Sequence, residues 1–184
     1  MLTPVLVAAP TIEVVSLAEA KAHLRVDHTH EDGLITTLIE AATQHLDGWQ
    51  GVLGRAIRTQ TWRQDFGSFY DRLRLLVSPV ATVDSVTYRS EAGAEQAVDA
   101  ANYVLSDGEL LIRSGYDLPN LSRDYPAPLS VTYTAGTEGP YPAPLKAAIL
   151  LHVGTLYENR EMSAKDWQPT LAYDALIQPW RIWA

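Results

Sequence analysis

The sequence predicts an α+β protein in which an antiparallel β block is inserted into a helical unit. Apolar residues recur at helical spacing over about residues 15–56 and again over about residues 136–178. Between them, residues 57–135 form short alternating segments that are rich in Thr, Val and Tyr and are separated by turn residues. Helices on both sides of a run of strands favour an α+β architecture over alternating βα units.

Four helices are predicted, two before the β block and two after it. The first opens at Ser16, which forms a capping-box pattern with Glu19 three residues later. The second runs from about residue 30 to 48. After the block, one helix follows Pro142 and Pro144 and reaches about residue 160, and a short one lies at about 169–178. Together these helices predict a small bundle.

Five or six strands are predicted within the β block. In the stretch RLRLLV, the alternation predicts that Leu73, Leu75 and Val77 face the core. Asp107 and Gly108 separate two β segments and predict a two-residue hairpin turn. The predicted organisation is therefore an extended N-terminal arm, a helical pair, the β block, the C-terminal helices and a short tail. Their predicted ranges are 1–14, 15–56, 57–135, 136–178 and 179–184.

The composition excludes several classes of function. There is no cysteine, so disulfides, thiolate metal sites and cysteine nucleophiles are excluded. The formal net charge is −8, from 22 acidic and 14 basic residues. The sequence has no run of basic residues of the kind that binds the phosphates of nucleic acid. The sequence has no nucleophile-elbow, P-loop or dinucleotide-binding motif. No apolar run is long enough to span a membrane.

One acidic and histidine-rich stretch, LRVDHTHEDGLI, allows two interpretations. In the first, His28, His30 and Asp32 bind a metal, with Glu31 as ligand or base, which predicts a small metal-dependent hydrolase. In the second, Thr29 is the N-cap of the second helix and Asp32 lies at its N3 position. The second interpretation is favoured because no pair of ligands recurs at the four-residue spacing that places both on one helix face.

The chain ends in the stretch PWRIWA, which is rich in the residue types of binding hot spots. Trp180, Arg181, Ile182 and Trp183 follow a proline that ends the last helix. Trp and Arg are enriched at such hot spots. The segment either folds back onto its own core or docks on a partner, and the sequence leaves both alternatives open.

The order of these segments resembles the head–tail connector, or adaptor, proteins of long-tailed bacteriophages and gene transfer agents. The stretch VSLAEAKAHLRVDHTHEDGLITTLIEAAT (15–43) is similar to that family's opening helical pair. AIRTQTW (56–62), SVTYTAG (130–136) and PAPLKAAILLHVGTLYENRE (142–161) are similar to its later segments. The resemblance covers residues 15–161 in separate blocks.

The resemblance implies a structural role without catalysis, cofactor or metal. Such proteins form a ring, usually of twelve subunits, beneath the portal, extend the DNA channel and present a surface to a tail-side stopper or completion protein. Double-stranded DNA passes through without specific binding, and the protein lies in the neck of the particle after synthesis in the bacterial cytoplasm. The family's C-terminal segment reaches the portal, so Trp180, Arg181, Ile182 and Trp183 are the expected docking residues.

A ligand-binding β module is a third alternative. It rests on five tyrosines in the β block, namely Tyr88, Tyr103, Tyr116, Tyr125 and Tyr133. Aromatic residues on strands more often pack in the core or form cross-strand pairs, which makes this alternative the weakest.

Overall fold

The computed structural model of the chain describes residues 2–159 and 170–182. It has the predicted α+β fold and divides into two compact units. The helical unit comprises the described residues of 12–58 and 138–184, and the β unit those of 1–11 and 59–137. The predicted block boundaries, 57 and 135, differ from this division by two residues at each end.

Four helices form the helical unit. They are α1 (Leu17–Leu24), α2 (Asp32–Leu46), α3 (Ala143–Glu158) and α4 (Leu171–Ile177). Each turns apolar residues inward, and removing these side chains from water is the main stabilising term of such a core. The fully buried members of this core include Ile35, Leu46, Leu53, Ile149 and Ile177.

The two N-terminal helices begin in different ways. At α1 the predicted capping box is present: the Ser16 hydroxyl accepts from the Glu19 backbone N–H, and the Glu19 carboxylate accepts from the Ser16 N–H at 2.8 Å. At α2 the predicted cap is wrong, because Glu31 occupies the N-cap position and no side-chain capping bond is present. Thr29 contributes its backbone carbonyl instead, which accepts from Asp32 N at 3.3 Å.

Side chains from other helices hold the start of α2 in place by binding its acidic residues. Lys21 of α1 lies 2.5 Å from the Asp32 carboxylate and also donates to the His28 carbonyl at 2.7 Å. The Tyr157 hydroxyl of α3 donates to the Glu31 carboxylate. The position of α2 is therefore fixed by tertiary contacts, which a local sequence pattern does not reveal.

The β unit contains eight strands, more than the five or six predicted. They are β1 (Val5–Ala8), β2 (Gln60–Phe66), β3 (Arg72–Arg74), β4 (Val80–Arg89), β5 (Glu95–Ala97), β6 (Tyr103–Ser106), β7 (Glu109–Ile112) and β8 (Leu129–Ala135). They form a five-stranded sheet in the order β1-β2-β8-β4-β5 and a three-stranded sheet in the order β3-β7-β6. All recorded pairings are antiparallel, as predicted.

Part of the predicted N-terminal arm belongs to this unit. Strand β1 pairs with β2, with Val5 opposite Arg63 and Leu6 opposite Trp62. The arm is therefore in part an edge strand of the five-stranded sheet rather than a free extension.

The predicted hairpin is confirmed at Asp107 and Gly108, which join β6 to β7. Their φ angles are 50° and 76°, the left-handed region that a tight hairpin turn requires and that Gly adopts without strain. The predicted inward face of the β3 segment is also confirmed, since Leu73, Leu75 and Val77 are all buried.

A buried neutral network holds the segment that follows β3. Gln64, on β2, is completely buried; its amide nitrogen donates to the Arg74 carbonyl and its oxygen accepts from Leu76 N, both at 2.9 Å. The Tyr133 hydroxyl accepts from Val77 N at 3.2 Å and donates to Gln64 at 3.4 Å. We call Gln64 and Tyr133 the neutral clamp. It satisfies backbone groups that would otherwise be buried without partners.

Candidate docking surface at the C-terminal segment

The C-terminal segment, residues 178–182, leaves α4 in a defined conformation. Helix α4 is capped by Thr170, whose hydroxyl accepts from Tyr173 N at 3.2 Å, and it ends at the fully buried Ile177. A short 3-10 turn, Gln178–Trp180, follows, and the chain is extended at Arg181. The predicted tail therefore starts inside a helical turn.

The described part of the tail lies on its own helical unit. Ile182 N donates to the Leu53 carbonyl at 2.9 Å, and Trp180 packs against the helical core. The Arg55 guanidinium lies 5.9 Å from the centroid of the Trp180 ring, within the range of a cation–π contact. The Ile182 side chain remains 37% exposed. Trp180 is thus an intramolecular anchor, whereas Trp183 lies outside the described residues.

The segment that receives the tail was not identified as functional from the sequence. It is the clamp loop, residues 47–58, which follows α2 directly. A Cβ atom on Gly51 would lie 2.5 Å from the backbone of Leu46, so the loop turns too closely against α2 for any larger residue. Gly54 has a φ of 63° and faces the Ile182 carbonyl. The two glycines are the signal that this loop has a specific shape.

A buried ionic clamp fixes the two ends of this loop. Arg58 is 4% exposed, and its Nε donates to the Asp47 carboxylate at 2.9 Å. The same carboxylate accepts from Ile57 N at 2.6 Å, and the Arg58 guanidinium also reaches Glu40 of α2 at 3.3 Å. Burial alone would lower the pKa of Arg58, but the bonds to Asp47 and Glu40 raise it. We call Arg58, Asp47 and Glu40 the ionic clamp.

Titratable groups from three helical segments surround the base of the tail. The rings of His45 and His152 are 4.9 Å apart, and those of His152 and Tyr173 are 5.8 Å apart. Burial, with a smaller effect of His45, lowers the pKa of His152 to about 4. Burial also lowers the pKa of His45, and the positive charge of Arg181 lowers it further. Arg181 itself lies 3.9 Å from the Asp174 carboxylate. Both shifts disfavour the charged form of these two histidines at the base of the tail.

The predicted metal-binding residues do not form a site. The rings of His28 and His30 are 5.6 Å apart, but Asp32 is engaged by Lys21 and Glu31 by Tyr157. Over residues 2–159 and 170–182, no group of three or more histidines and acids is arranged to hold a metal ion. The hydrolase alternative therefore has no support.

The tyrosines of the β unit divide between core and surface. Tyr133 is fully buried, and burial raises its pKa to about 12. Tyr88 and Tyr125 line a groove of about 350 Å³ on the β unit. Arg89 in this groove lies 5.2 Å from the Tyr125 ring centroid and 3.1 Å from Glu95. The second arginine of the groove, Arg63, lies 3.2 Å from Asp65, so each of these two cationic groups already faces a carboxylate.

Comparisons with known proteins give a family match over part of the chain and a shared fold over nearly all of it. Residues 14–91 match the family model of the phage gp6-like head-tail connector protein. No curated protein matches the chain. In the part of the chain that the structure describes, no helix is long and apolar enough to cross a membrane.

Several solved structures share the fold over nearly the whole chain. One, described as the neck of an empty gene transfer agent (GTA) particle computed with C6 symmetry, is 24% identical with a TM-score of 0.76. Another, described as the virion of a native GTA particle, is 24% identical with a TM-score of 0.77. Both matches cover 100% of this chain and 97% of the other. A third, described as the neck of a native GTA particle computed with C12 symmetry, is 23% identical over 97% of each chain, with a TM-score of 0.68.

The family match begins at the buried Val14, runs through α1 and α2 and ends just after β4. It includes the opening helical pair on which the resemblance was first based. The predicted resemblance to the head–tail connector proteins is therefore confirmed.

Proposed function

We propose that this chain is a structural head–tail adaptor of a phage-like particle. The observation that carries the proposal is the connector-family match over residues 14–91, on a chain whose whole fold resembles neck and virion structures of gene transfer agents. The role is mechanical: to join the capsid vertex to the tail. Neither the family nor the similar structures point to an enzyme, so a catalytic role is not proposed.

Assembly into a ring is the second part of the proposal. It is supported by the C6 and C12 symmetry with which two of the similar necks were computed, and we propose twelve subunits. A ring needs a heterologous contact, in which one face of each subunit meets a different face of the next. Twelve chains of formal charge −8 carry −96 together. Such a ring would repel phosphates, so DNA could slide through its channel without being bound.

The C-terminal segment is the proposed contact with the portal protein. Because the segment lies on its own helical unit, its residues divide into those that hold it there and those that can meet the portal. Trp180 and the Ile182 backbone hold the segment on the clamp loop, so the exposed side of Ile182 is left to meet the portal. The proposal also includes Trp183, which lies outside the described residues. The opposite side of the ring would meet a tail-side stopper or completion protein.

The proposed portal contact is tested with the purified portal protein of the same particle. We expect wild-type chain to bind it and the variant lacking residues 179–184 to lose binding. Because that deletion also removes Trp180 from the core, the sharper variant is Ile182→Ser with Trp183→Ser, which keeps the Ile182 backbone bond. We expect this double variant to bind at least tenfold more weakly, since residues of these types dominate interface energies.

Leu34→Ser is the matched control. Leu34 lies on α2 and is 38% exposed, close to the 37% of Ile182, so it removes a similar exposed apolar side chain elsewhere in the helical unit. It should leave portal binding unchanged. Full binding by the tail double variant would contradict the portal contact, whereas absence of binding by the wild type would contradict the adaptor function itself.

A further inference from the structure

Strand β1 has an unpaired outer edge and apolar side chains that are exposed to solvent. It is the edge strand of the five-stranded sheet, and no described strand pairs with its outer edge. Val5, Leu6 and Val7 are 48%, 44% and 56% exposed. Because successive side chains of a strand point to opposite faces, both faces of β1 are uncovered. Leu2, just before it, is 50% exposed as well.

The arm around β1 lacks charged residues, which are one of the devices that keep an edge strand from pairing. The strand is short, and its pairing with β2 shifts register once within the strand. Edge strands of monomeric proteins usually carry charged residues, especially Lys, or an inward-pointing charge. Residues 2–11 contain no charged residue at all. Pro4 and Pro10 limit the length of any added pairing, but they leave the outer edge of residues 5–9 available.

The absence of charge in the arm indicates what can approach it. Copies of a chain with a net charge of −8 repel one another over most of their surface. The arm offers an uncharged apolar strip where two copies can meet without repulsion, and it buries the side chains that are otherwise costly to leave in water. A nucleic acid finds no cationic group on such a strip to bind its phosphates, and the net charge of −8 repels both nucleic acid and an anionic membrane.

We infer that β1 is a contact between neighbouring copies of this chain, which adds its outer edge and its apolar side chains to a different surface of the next copy. The inference rests on the proposed ring, because only a heterologous contact of this kind closes into one. It places a subunit contact on the β unit, in addition to any contact made by the helices.

The test compares two double variants. Val5→Lys with Val7→Lys places charges on the strip but leaves β1 able to pair with β2, since Lys is common on edge strands. Leu118→Lys with Tyr70→Lys is the control, because these loop residues of the same unit are 48% and 56% exposed and the change in charge is equal. Both variants are first checked for unchanged circular dichroism and thermal unfolding.

Assembly is measured by sedimentation velocity, and contacts are measured by photo-cross-linking from p-benzoylphenylalanine placed at position 7. We expect rings from the wild type and the control, and at least a tenfold loss of assembled material for the β1 variant. Cross-links should join residue 7 to residues outside β1 of another copy.

Three results would overturn or redirect the inference. Rings that persist in the β1 variant overturn it and leave the ring function standing. Cross-links from β1 to β1 alone indicate a symmetric dimer and contradict the heterologous contact. A wild type that never assembles contradicts the ring function, while intermolecular cross-links from position 7 to sites outside β1 would still support this contact.

Discussion

The helical unit and the β unit each fix a loop with buried polar groups, but by opposite chemistry. In the helical unit, the ionic clamp joins the Arg58 guanidinium to the Asp47 carboxylate, with side chains 5% and 3% exposed. In the β unit, the neutral clamp uses the amide of Gln64 and the hydroxyl of Tyr133, both fully buried. The first holds the loop that receives the C-terminal segment, and the second holds the segment after β3.

The difference indicates which loop responds to its surroundings. Buried charges attract strongly but are expensive to remove from water, so an ionic clamp is stable only while both partners are present and charged. A neutral clamp loses less when one partner is removed, and it does not titrate at moderate pH. The loop beneath the proposed portal contact should therefore be the more sensitive of the two to mutation.

The largest effect is expected from Arg58→Met. This change leaves the Asp47 carboxylate buried without its cation, which typically costs about 3–5 kcal/mol of the free energy of unfolding. Urea unfolding followed by circular dichroism measures the loss. The matched control is Arg72→Met, because Arg72 pairs with Glu109 on the surface at 72% exposure and should contribute at most about 1 kcal/mol.

A second variant separates the buried charge from simple loss of packing. Adding Asp47→Asn to Arg58→Met removes the buried negative charge and keeps an oxygen that can accept from Ile57 N. We expect the double variant to be more stable than Arg58→Met alone. Equal stability of the Arg58 and Arg72 single variants would contradict the ionic clamp.

The next effect is a pH dependence confined to the helical unit. Burial lowers the pKa of His152 to about 4 from an ordinary value of 6.5. The unfolded chain therefore binds a proton more readily between these values, so this group makes stability fall as pH decreases from about 6.5 to about 4, by up to about 3 kcal/mol. The contribution of His152 to the slope should level off below about pH 4.

His152→Phe tests this dependence, because it keeps a ring beside Tyr173 and removes the titration. Urea unfolding at a series of pH values should give a shallower slope than the wild type between about pH 4 and 6.5. Above about pH 7 the two curves should run parallel. Identical slopes below pH 6.5 would mean that His152 titrates normally in the folded chain.

A smaller and pH-independent effect is expected from Gln64→Leu. It leaves the Arg74 carbonyl and Leu76 N without the partners that Gln64 provides, which costs about 1–3 kcal/mol. Gln96→Leu is the control, since Gln96 lies on the exposed strand β5. A loss of the free energy of unfolding for Gln64→Leu that changes between pH 5 and 8 would contradict the claim that this clamp is neutral.

The smallest effect compares the two helix starts. Ser16→Ala removes the capping box of α1 and should lower the free energy of unfolding by about 1 kcal/mol. Thr29→Ala should change it by less than about 0.5 kcal/mol, because Thr29 provides only its backbone carbonyl at the start of α2. A larger loss of the free energy of unfolding for Thr29→Ala than for Ser16→Ala would support Thr29 as the N-cap of α2.

The features that could be predicted from the sequence are those that neighbouring residues determine, and the features that were missed depend on tertiary contacts. The capping box at Ser16 and the hairpin at Asp107 were predictable because a few neighbouring residues determine them. The start of α2 was not, because Lys21 and Tyr157 reach it from other helices. Strand β1 was missed for the same reason: it becomes a strand by pairing with β2, far along the chain.

The candidate site was predicted by residue type but not by position. The aromatic tail indicated a contact, yet the sequence could not place Trp180 against its own core or Ile182 on the carbonyl of Leu53. That placement depends on the shape of the clamp loop, which Arg58 and Asp47 set across ten residues. Gly51 and Gly54 are the features of the sequence that mark the shape of this loop.

The most direct test of the adaptor function is cryo-electron microscopy of this chain mixed with the portal protein of the same particle. The proposal predicts a closed ring of twelve copies stacked on the portal, with a central hole wide enough for double-stranded DNA. Portals without added density, or with single scattered copies and no ring, would contradict it.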